Sequence, residues 1–128
     1  MNDKFDTIFE LQKRLNTRIG AIPENPSDAE TQRWILDHAR AISQELAELT
    51  DSVPWKWWAR YQKFDRENVL VEVVDILHFL VSMCVTMGVS SSDLFELYQK
   101  KHAVNMDRQE AGYTHKDESD NDNVRLHM

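Results

Sequence analysis

The stretch NVLVEVVDILHFLVSMCV, Asn68 to Val85, predicts a helix that is apolar on almost every side. It nevertheless carries Glu72, Asp75 and His78 at three-residue intervals. Residues three apart lie on the same face of a helix. An ionised carboxylate in apolar surroundings is strongly penalised unless it is paired or bound to a metal. We therefore expect a core helix with one polar edge that faces a functional site.

Length and charge limit the class of protein. The 128 residues suffice for one domain with a core, and the net charge of −7 argues against a protein that binds nucleic acid. The single cysteine, Cys84, permits no internal disulfide, and the charged first residues, MNDKFDTIFE, do not predict a secretory signal peptide. We expect a cytoplasmic location, in the cytoplasm of the host if the chain is phage-encoded.

The apolar run also has about the length that a bilayer requires. Two acids and a histidine inside it would each be costly in lipid, so we expect no membrane association. The preferred interpretation is a central helix that other helices or a second subunit cover.

Periodicity predicts helices almost throughout, because only 3 Gly and 3 Pro interrupt the chain. The predicted helices span about 3–19, 27–50 and 66–87, with a fourth that begins near residue 90 and ends before Gly112. Capping boxes at Ser27 with Glu30 and at Ser90 with Asp93 mark two of the starts. The expected fold is all-α, an antiparallel bundle of about four main helices. It forms one domain over residues 1–112, followed by a polar tail over 113–128. A dimer is expected because so small a bundle hardly covers the third helix.

Four carboxylates lie in pairs on two of these helices. Glu45 and Glu48 are one turn apart in ELAEL, and Glu72 and Asp75 repeat the arrangement. Taken alone, Glu45 and Glu48 are typical of a solvated helix edge. Glu72 and Asp75 have mostly apolar neighbours on their helix, so solvent would have little access to them. Oxygen-only ligands suit Mg²⁺, whereas di-iron bundles need Glu-x-x-His on two helices, which neither segment supplies. The two pairs together predict a magnesium site.

Amides and aromatic residues accompany the acids. Gln12 and Asn16 interrupt the apolar stripe of the first helix, and each amide offers the donor and acceptor that the imide edge of uracil requires. Gln12 and Asn16 could equally bond to a neighbouring helix or face outward. WKWW, which contains Trp58, could pack on the core or form a wall for a base. His78 and Phe79 have the same two interpretations.

A basic segment, KKHAVNMDRQEAGY, lies downstream in this acidic chain. Lys and Arg beside a metal site suit a polyphosphate, since its charge exceeds what one or two metal ions neutralise. Taken alone, the segment is typical of a solvated helix face.

In order, LQKRLNTRIG, ELAELTDSVPWKWW, EVVDILHF and the basic segment resemble the motifs of the all-α dimeric dUTPases. That family belongs to the all-α nucleoside triphosphate pyrophosphohydrolases, with dCTPases and MazG-type enzymes. The resemblance covers about residues 12–123. The chain departs from the family pattern in several places: His102 stands where Asn is usual, Gln44 precedes Glu45 where the superfamily often has a second Glu, and the tail carries Asn121-Asp122-Asn123 without the usual Trp and Gly before it.

The resemblance implies hydrolysis of dUTP, and also of dUDP, to dUMP. It implies two or three Mg²⁺ ions, with Mn²⁺ as a substitute, on Glu45, Glu48, Glu72 and Asp75, and Glu45 as the base by analogy. It places the base and sugar on Gln12, Asn16, Trp58, His78 and Phe79. It places the phosphates near Lys101, Asn105, Arg108, Tyr113 and Lys116.

Two other functions stay open. The same chemistry would suit a dCTP or broad-specificity nucleotide pyrophosphohydrolase. In a different class, the chain could be a non-catalytic helical interaction module whose carboxylates form polar layers. The amide pair Gln12 and Asn16 favours a protein that reads a base.

Overall fold

The computed structural model describes residues 3–20 and 23–112. Its helices are α1 (Lys4–Ile19), α2 (Asp28–Asp51), α3 (Arg66–Thr86) and α4 (Ser91–Glu110). No strand occurs in these two ranges, so the predicted all-α class and the four main helices are confirmed. The tail predicted over 113–128, with Tyr113 and Lys116, lies outside the described residues.

Side-chain caps fix where the helices begin. Ser27 and Glu30 form the predicted capping box, in which the Glu30 amide donates to Ser27 Oγ at 3.2 Å and the Ser27 amide donates to Glu30 Oε1 at 3.2 Å. Ser90 and Asp93 do the same at the start of α4. Such boxes satisfy amide groups that have no partner inside the helix. The sequence therefore located these two helix starts correctly.

The chain divides into two compact units, one up to Gly88 and one from Val89. In the first, α3 contacts both α1 and α2. Phe9 and Val81 are its buried apolar residues, and the ring of Phe5 packs on that of Phe9 with centroids 5.2 Å apart. The second unit contains α4, where Lys100 pairs with Glu96 at 3.1 Å.

Helix α3 is less buried in one chain than its composition predicts. Of its residues only Glu72, Val81, Ser82 and Thr86 are buried. The apolar residues of a broad outer surface are 41–54% exposed: Leu70, Val71, Val73, Val74, Leu77 and Leu80. The physical reason is coverage, since α1 and α2 pack on only part of the helix. By length and composition alone, this helix could cross a membrane, a property that core helices also have.

The segment between α2 and α3 is held by one side chain. Gln62 Oε1 accepts from the backbone amides of Trp55 and Lys56 at 3.0 and 2.8 Å, and Gln62 Nε2 donates to the Ala59 carbonyl at 3.2 Å and to the Lys56 carbonyl. Trp58 stands edge-on to the rings of Trp55 and Trp57, 5.9 and 5.5 Å away between centroids. The tryptophan-rich turn is therefore organised by Gln62.

Candidate active site of the first three helices

Three carboxylates meet where α2 packs on α3. Glu45, Glu72 and Asp75 each offer one oxygen that lies within 4.8 Å of the other two. Glu72 is only 6% exposed, which is unusual for a carboxylate without an ion pair to any of the described residues. Glu48 is exposed, one turn from Glu45, and is not part of this group of three.

The mutual repulsion of these groups appears in the protonation of Glu45. The pKa of Glu45 is raised from an ordinary 4.5 to about 7. The first cause is a hydrogen bond with the carboxyl group of Glu72, which requires a proton on one of the two groups; partial desolvation and the charges of Glu48, Glu72 and Asp75 add to it. Oε2 of Glu45 and Oε2 of Glu72 are buried and have no hydrogen-bond partner among the described residues.

These properties fit a hard divalent cation. Oxygen atoms are the only donors in the group, as Mg²⁺ prefers, and a cation would compensate both the repulsion and the two unpartnered oxygens. The chemistry of the donors does not suit zinc, which is usually held by Cys or His.

A cavity of about 590 Å³ opens beside the carboxylates. Its lining combines Glu45 and Asp75 with four residues that the sequence assigned to a base pocket: Gln12, Asn16, His78 and Phe79. The remaining lining is largely apolar and includes Leu15, Ile19 and Trp34. An apolar cleft with a few convergent polar groups is the usual form of a small-molecule site.

A chain of hydrogen bonds runs along one wall of the cavity. Gln12 Nε2 donates to Asn16 Oδ1 at 3.0 Å, and Asn16 Nδ2 donates to Ser82 Oγ at 3.1 Å. Ser82 Oγ lies 2.8 Å from His38 Nε2, and His38 Nδ1 lies 2.5 Å from the Trp34 carbonyl oxygen. Gln12, His38 and Ser82 are buried. The amide pair is thus anchored to α2 and α3.

A second cavity, of about 540 Å³, lies by the other two predicted metal ligands. Glu48 and Glu72 line it, together with Asp51, Lys63 and Asn68. Asn68 Nδ2 donates to Ser52 Oγ, and the Asp65 amide donates to the Ser52 carbonyl at 2.8 Å. Glu45 and Asp75 therefore line the first cavity, and Glu48 and Glu72 line the second. Glu72 also belongs to the cluster of carboxylate oxygens that contains Glu45 and Asp75.

The other predicted site residues have separate positions. His78 is exposed at the edge of the first cavity, where its Nδ1 lies 2.8 Å from the Val74 carbonyl oxygen. Trp58 is 59% exposed in the turn that Gln62 holds and does not line the first cavity. Lys101, Asn105 and Arg108 lie on α4, in the second unit. Tyr113 and Lys116 fall outside the described residues.

Sequence reasoning missed His38, Ser82 and Trp34, all of which line the first cavity. One signal was available in α2, since Trp34, His38, Ala41 and Glu45 follow one another at spacings of four, three and four along one face. The other was Ser82, a hydroxyl four residues after His78 inside an apolar run. Neither signal specifies a hydrogen-bond partner on another helix.

The class that fold and site define is an all-helical protein with a candidate divalent-cation site beside a cavity for an organic ligand. Comparison with known families is more specific. The profile of the dUTPase family matches residues 4–93, more than half of the chain and all of α1, α2 and α3. The chain belongs to that family, as the resemblance of its motifs predicted.

The curated relatives are phage proteins. The dCTP pyrophosphatase of Enterobacteria phage T4 is 25% identical over 115 residues, which cover 88% of this chain and 60% of that protein. The dCTP pyrophosphatase of Enterobacteria phage LZ5 is 28% identical over 97 residues, 62% of this chain and 56% of that protein. The chain thus spans somewhat more than half the length of these relatives. No solved structure matches it with significance.

Proposed function

We propose that this protein is a metal-dependent nucleoside triphosphate pyrophosphohydrolase that converts a pyrimidine deoxynucleotide, dUTP in the first instance, to its monophosphate and pyrophosphate. The observation that carries this proposal is the group of three carboxylate oxygens at the edge of a cavity that also contains an amide pair. Membership of the dUTPase family and the names of the phage relatives support hydrolysis of a nucleotide over a non-catalytic helical module.

Glu45, Glu72 and Asp75 would hold the cation, with Glu48 as a further ligand on the side of the second cavity. We propose Mg²⁺, two or three ions, with Mn²⁺ as a substitute. When bound, Mg²⁺ would neutralise charge on carboxylate and phosphate oxygens and make the phosphorus easier to attack. By holding the cation, the carboxylates would set where the polyphosphate binds.

Glu45 is our candidate for the general base. The neighbouring carboxyl groups raise the pKa of Glu45 to about 7 in the cation-free protein, and a bound cation would lower it, so the assignment rests on the position of Glu45. Glu45 would take the proton of a water molecule as that water attacks phosphorus. Its position on the first cavity also brings it close to where the nucleotide would bind.

The base would bind at the amide wall. Gln12 and Asn16 offer donors and acceptors in an otherwise apolar cleft, and Phe79 contributes an aromatic wall. A site built to hydrogen-bond one base leaves buried polar groups unpaired when the wrong base enters. Lys101, Asn105, Arg108, Tyr113 and Lys116 remain our candidates for binding phosphate, and Trp58 and His78 remain candidates for contacts to base or sugar.

A second candidate substrate is dCTP. It is favoured by the two phage relatives, both of which are named dCTP pyrophosphatase. Cytosine and uracil have the same shape and differ in the donors and acceptors on one edge. The same cavity and carboxylates would therefore serve either substrate, with the amide wall deciding between them.

The test is pyrophosphate release from a panel of dUTP, dCTP, dTTP, dATP and dGTP, with Mg²⁺, with Mn²⁺ and with EDTA. We expect cation-dependent release from one or both of the first two, and much less from purine nucleotides. Glu72→Gln is the matching test variant, since it removes a buried carboxylate of the proposed cation site at nearly constant volume. Release that persists in EDTA or in Glu72→Gln would contradict the proposal.

A further inference from the structure

We propose that His38 and Ser82 are specificity-determining positioning residues, which lock the side-chain amide of Asn16 in one orientation and so decide which pyrimidine edge the cavity accepts. This inference rests on the proposed function and goes beyond it by assigning a role to two residues outside the predicted site. Its basis is the hydrogen-bond chain from the Trp34 carbonyl through His38 and Ser82 to Asn16 and Gln12.

The direction of this chain follows from its first link. A backbone carbonyl oxygen only accepts, so His38 Nδ1, 2.5 Å from the Trp34 oxygen, carries a hydrogen. In a neutral imidazole the other nitrogen then has a lone pair. His38 Nε2, 2.8 Å from Ser82 Oγ, therefore accepts the single hydroxyl proton of Ser82.

The orientation of Asn16 follows from Ser82. With its proton directed to His38, Ser82 Oγ accepts the Nδ2 hydrogen of Asn16 at 3.1 Å, the shorter of its two contacts to that amide, since Asn16 Oδ1 lies 3.3 Å from it. Asn16 Oδ1 then faces Gln12 Nε2, which donates to it at 3.0 Å. A reversed Asn16 amide would place its oxygen at the shorter contact to Ser82 Oγ, acceptor against acceptor, and would require the Gln12 amide to reverse as well. The hydrogen-bond chain therefore favours one orientation of the Asn16 amide.

A fixed amide discriminates where a freely turning one does not. An Asn amide has two hydrogens and two lone pairs. One of each is used inside the chain, which leaves one donor and one acceptor for a ligand of the cavity that Asn16 lines. Uracil presents N3–H beside the O4 acceptor, whereas cytosine presents the N3 lone pair beside the N4 donor. The two patterns require opposite orientations of the amide.

The geometry also explains why both residues are buried. A water molecule in place of the His38 or Ser82 side chain could either donate or accept a hydrogen bond. The Asn16 amide would then have no preferred orientation. His38 is 7% and Ser82 4% exposed, and the rings of His38 and Phe79 stand edge-on to each other with centroids 6.3 Å apart. Little of either His38 or Ser82 is therefore accessible to solvent.

The experiment compares kcat/KM for dUTP and dCTP in wild type and in variants of the chain. We expect Ser82→Ala and His38→Asn to reduce the ratio between the preferred and rejected base by about 10-fold, the equivalent of about one hydrogen bond. The change should fall on KM for the preferred substrate and leave kcat within a few-fold. Ser82→Cys supplies the same test with a fuller side chain, since a thiol is a weak donor.

Two further variants separate positioning from packing. His38→Gln keeps an acceptor near the place of Nε2 and should restore discrimination, whereas the shorter Asn does not reach Ser82. Thr86→Val removes another buried hydroxyl of α3, one that donates to the Ser82 carbonyl at 2.9 Å and does not line the cavity, and should leave the ratio unchanged. An unchanged ratio in Ser82→Ala and Ser82→Cys would overturn the inference, as would equal loss in His38→Gln and His38→Asn.

Binding of dUMP and dCMP, measured by calorimetry in wild type and in Ser82→Ala, separates this inference from the proposed function. If wild type releases no pyrophosphate from any dNTP but Ser82→Ala loses discrimination between the monophosphates, the function falls and the inference stands. If wild type hydrolyses one nucleotide and Ser82→Ala discriminates as well as wild type, only the inference falls.

Discussion

Glu45 of α2 and Glu72 of α3 face each other where the two helices pack, and each keeps one buried Oε2 atom without a hydrogen-bond partner among the described residues. Two carboxylates at this separation repel unless they share a proton or a cation. The raised pKa of Glu45 is the signature of the shared proton, and the unpartnered oxygens are the atoms that a cation would contact. Proton and cation therefore compete for the same pair of carboxylates.

The first prediction concerns cation binding. Glu72→Gln removes one charge and replaces a carboxylate oxygen with an amide nitrogen that donates. We expect the affinity for Mg²⁺ and Mn²⁺, measured by calorimetry, to fall by more than about 10-fold, because even outer contacts of a metal site contribute that much. Without cation the variant should be at least as stable as wild type, because like-charge repulsion is relieved.

A matched control for that measurement is Glu10→Gln on α1. Glu10 is exposed and pairs with Lys13 at 3.5 Å, a surface interaction that contributes little to stability. Its cation affinity should equal that of wild type. Equal cation affinity in Glu72→Gln and Glu10→Gln would show that the cluster of three carboxylates is not the cation site.

The second prediction is a pH dependence with a definite sign. The folded protein binds a proton at Glu45 with a pKa of about 7, above the ordinary 4.5, so between these values it holds more protons than the unfolded chain. In EDTA, this group should therefore lower the free energy of unfolding as the pH rises from about 4.5 to 7. Glu45→Gln, which does not titrate, should show no such loss.

Thermal unfolding of wild type and Glu45→Gln across that pH range measures the effect. The Tm of Glu45→Gln should exceed that of wild type by an amount that grows as the pH rises and stays constant above pH 7. Near pH 4.5 the two Tm values should be equal. A difference in Tm that stays constant across the range would contradict the raised pKa. Added Mg²⁺ should reduce the difference in Tm between Glu45→Gln and wild type, because only wild type retains the full set of ligands.

Sequence alone predicted the helices and two caps because these depend on local signals. Ser27 with Glu30 and Ser90 with Asp93 need only a spacing of three residues. The carboxylate pairs were also recognisable, since each lies within one helix. The link from His38 to Ser82 was not, because it spans 44 residues and depends on the rotation of α2 against α3, which no local spacing records.

Neither the exposed face of α3 nor the position of Trp58 could be predicted from the sequence, for a related reason. Composition gives the apolar area of α3 but not how much of it α1 and α2 cover. Trp58 lies in a turn whose backbone is held by four hydrogen bonds of the Gln62 side chain, to Trp55, Lys56 and Ala59. A glutamine four residues after the tryptophans gives no sign of that role in the sequence.

The third prediction concerns turnover. Asp75→Asn keeps the shape of the side chain but removes a charge from the three-carboxylate group. We expect pyrophosphate release to fall by more than about 100-fold, beyond what an outer contact of a metal site contributes, while circular dichroism remains that of wild type. Asp37→Asn is a suitable control, because Asp37 also lines the first cavity but is not one of the three clustered carboxylates. Full activity in Asp75→Asn would refute the site.

The fourth prediction concerns the tryptophan-rich turn. Gln62→Ala removes the acceptor of the Trp55 and Lys56 amides and should loosen the turn. Chymotrypsin should then cleave faster at this turn, where Trp57 is 90% exposed, because a protease needs a locally extended chain. Lys63→Ala, next in sequence and exposed, should be cleaved at the rate of wild type. Equal rates in both variants would assign the stability of the turn to its aromatic contacts instead.

The fifth prediction concerns the outer surface of α3. Leu70, Val73, Leu77 and Leu80 follow one another at spacings of three, four and three, the pattern of a seam between helices, and all are exposed in one chain. Apolar patches of this kind commonly mark an interface, and we propose that a second copy covers this one. Sedimentation velocity should give twice the mass of 15.1 kDa for wild type and the single mass for Leu77→Lys. Leu11→Lys, which changes an exposed leucine of α1 (54% against 41% for Leu77), should remain dimeric. Wild type that sediments as a monomer at micromolar concentration would exclude this interface, and a dimer in Leu77→Lys would place it elsewhere.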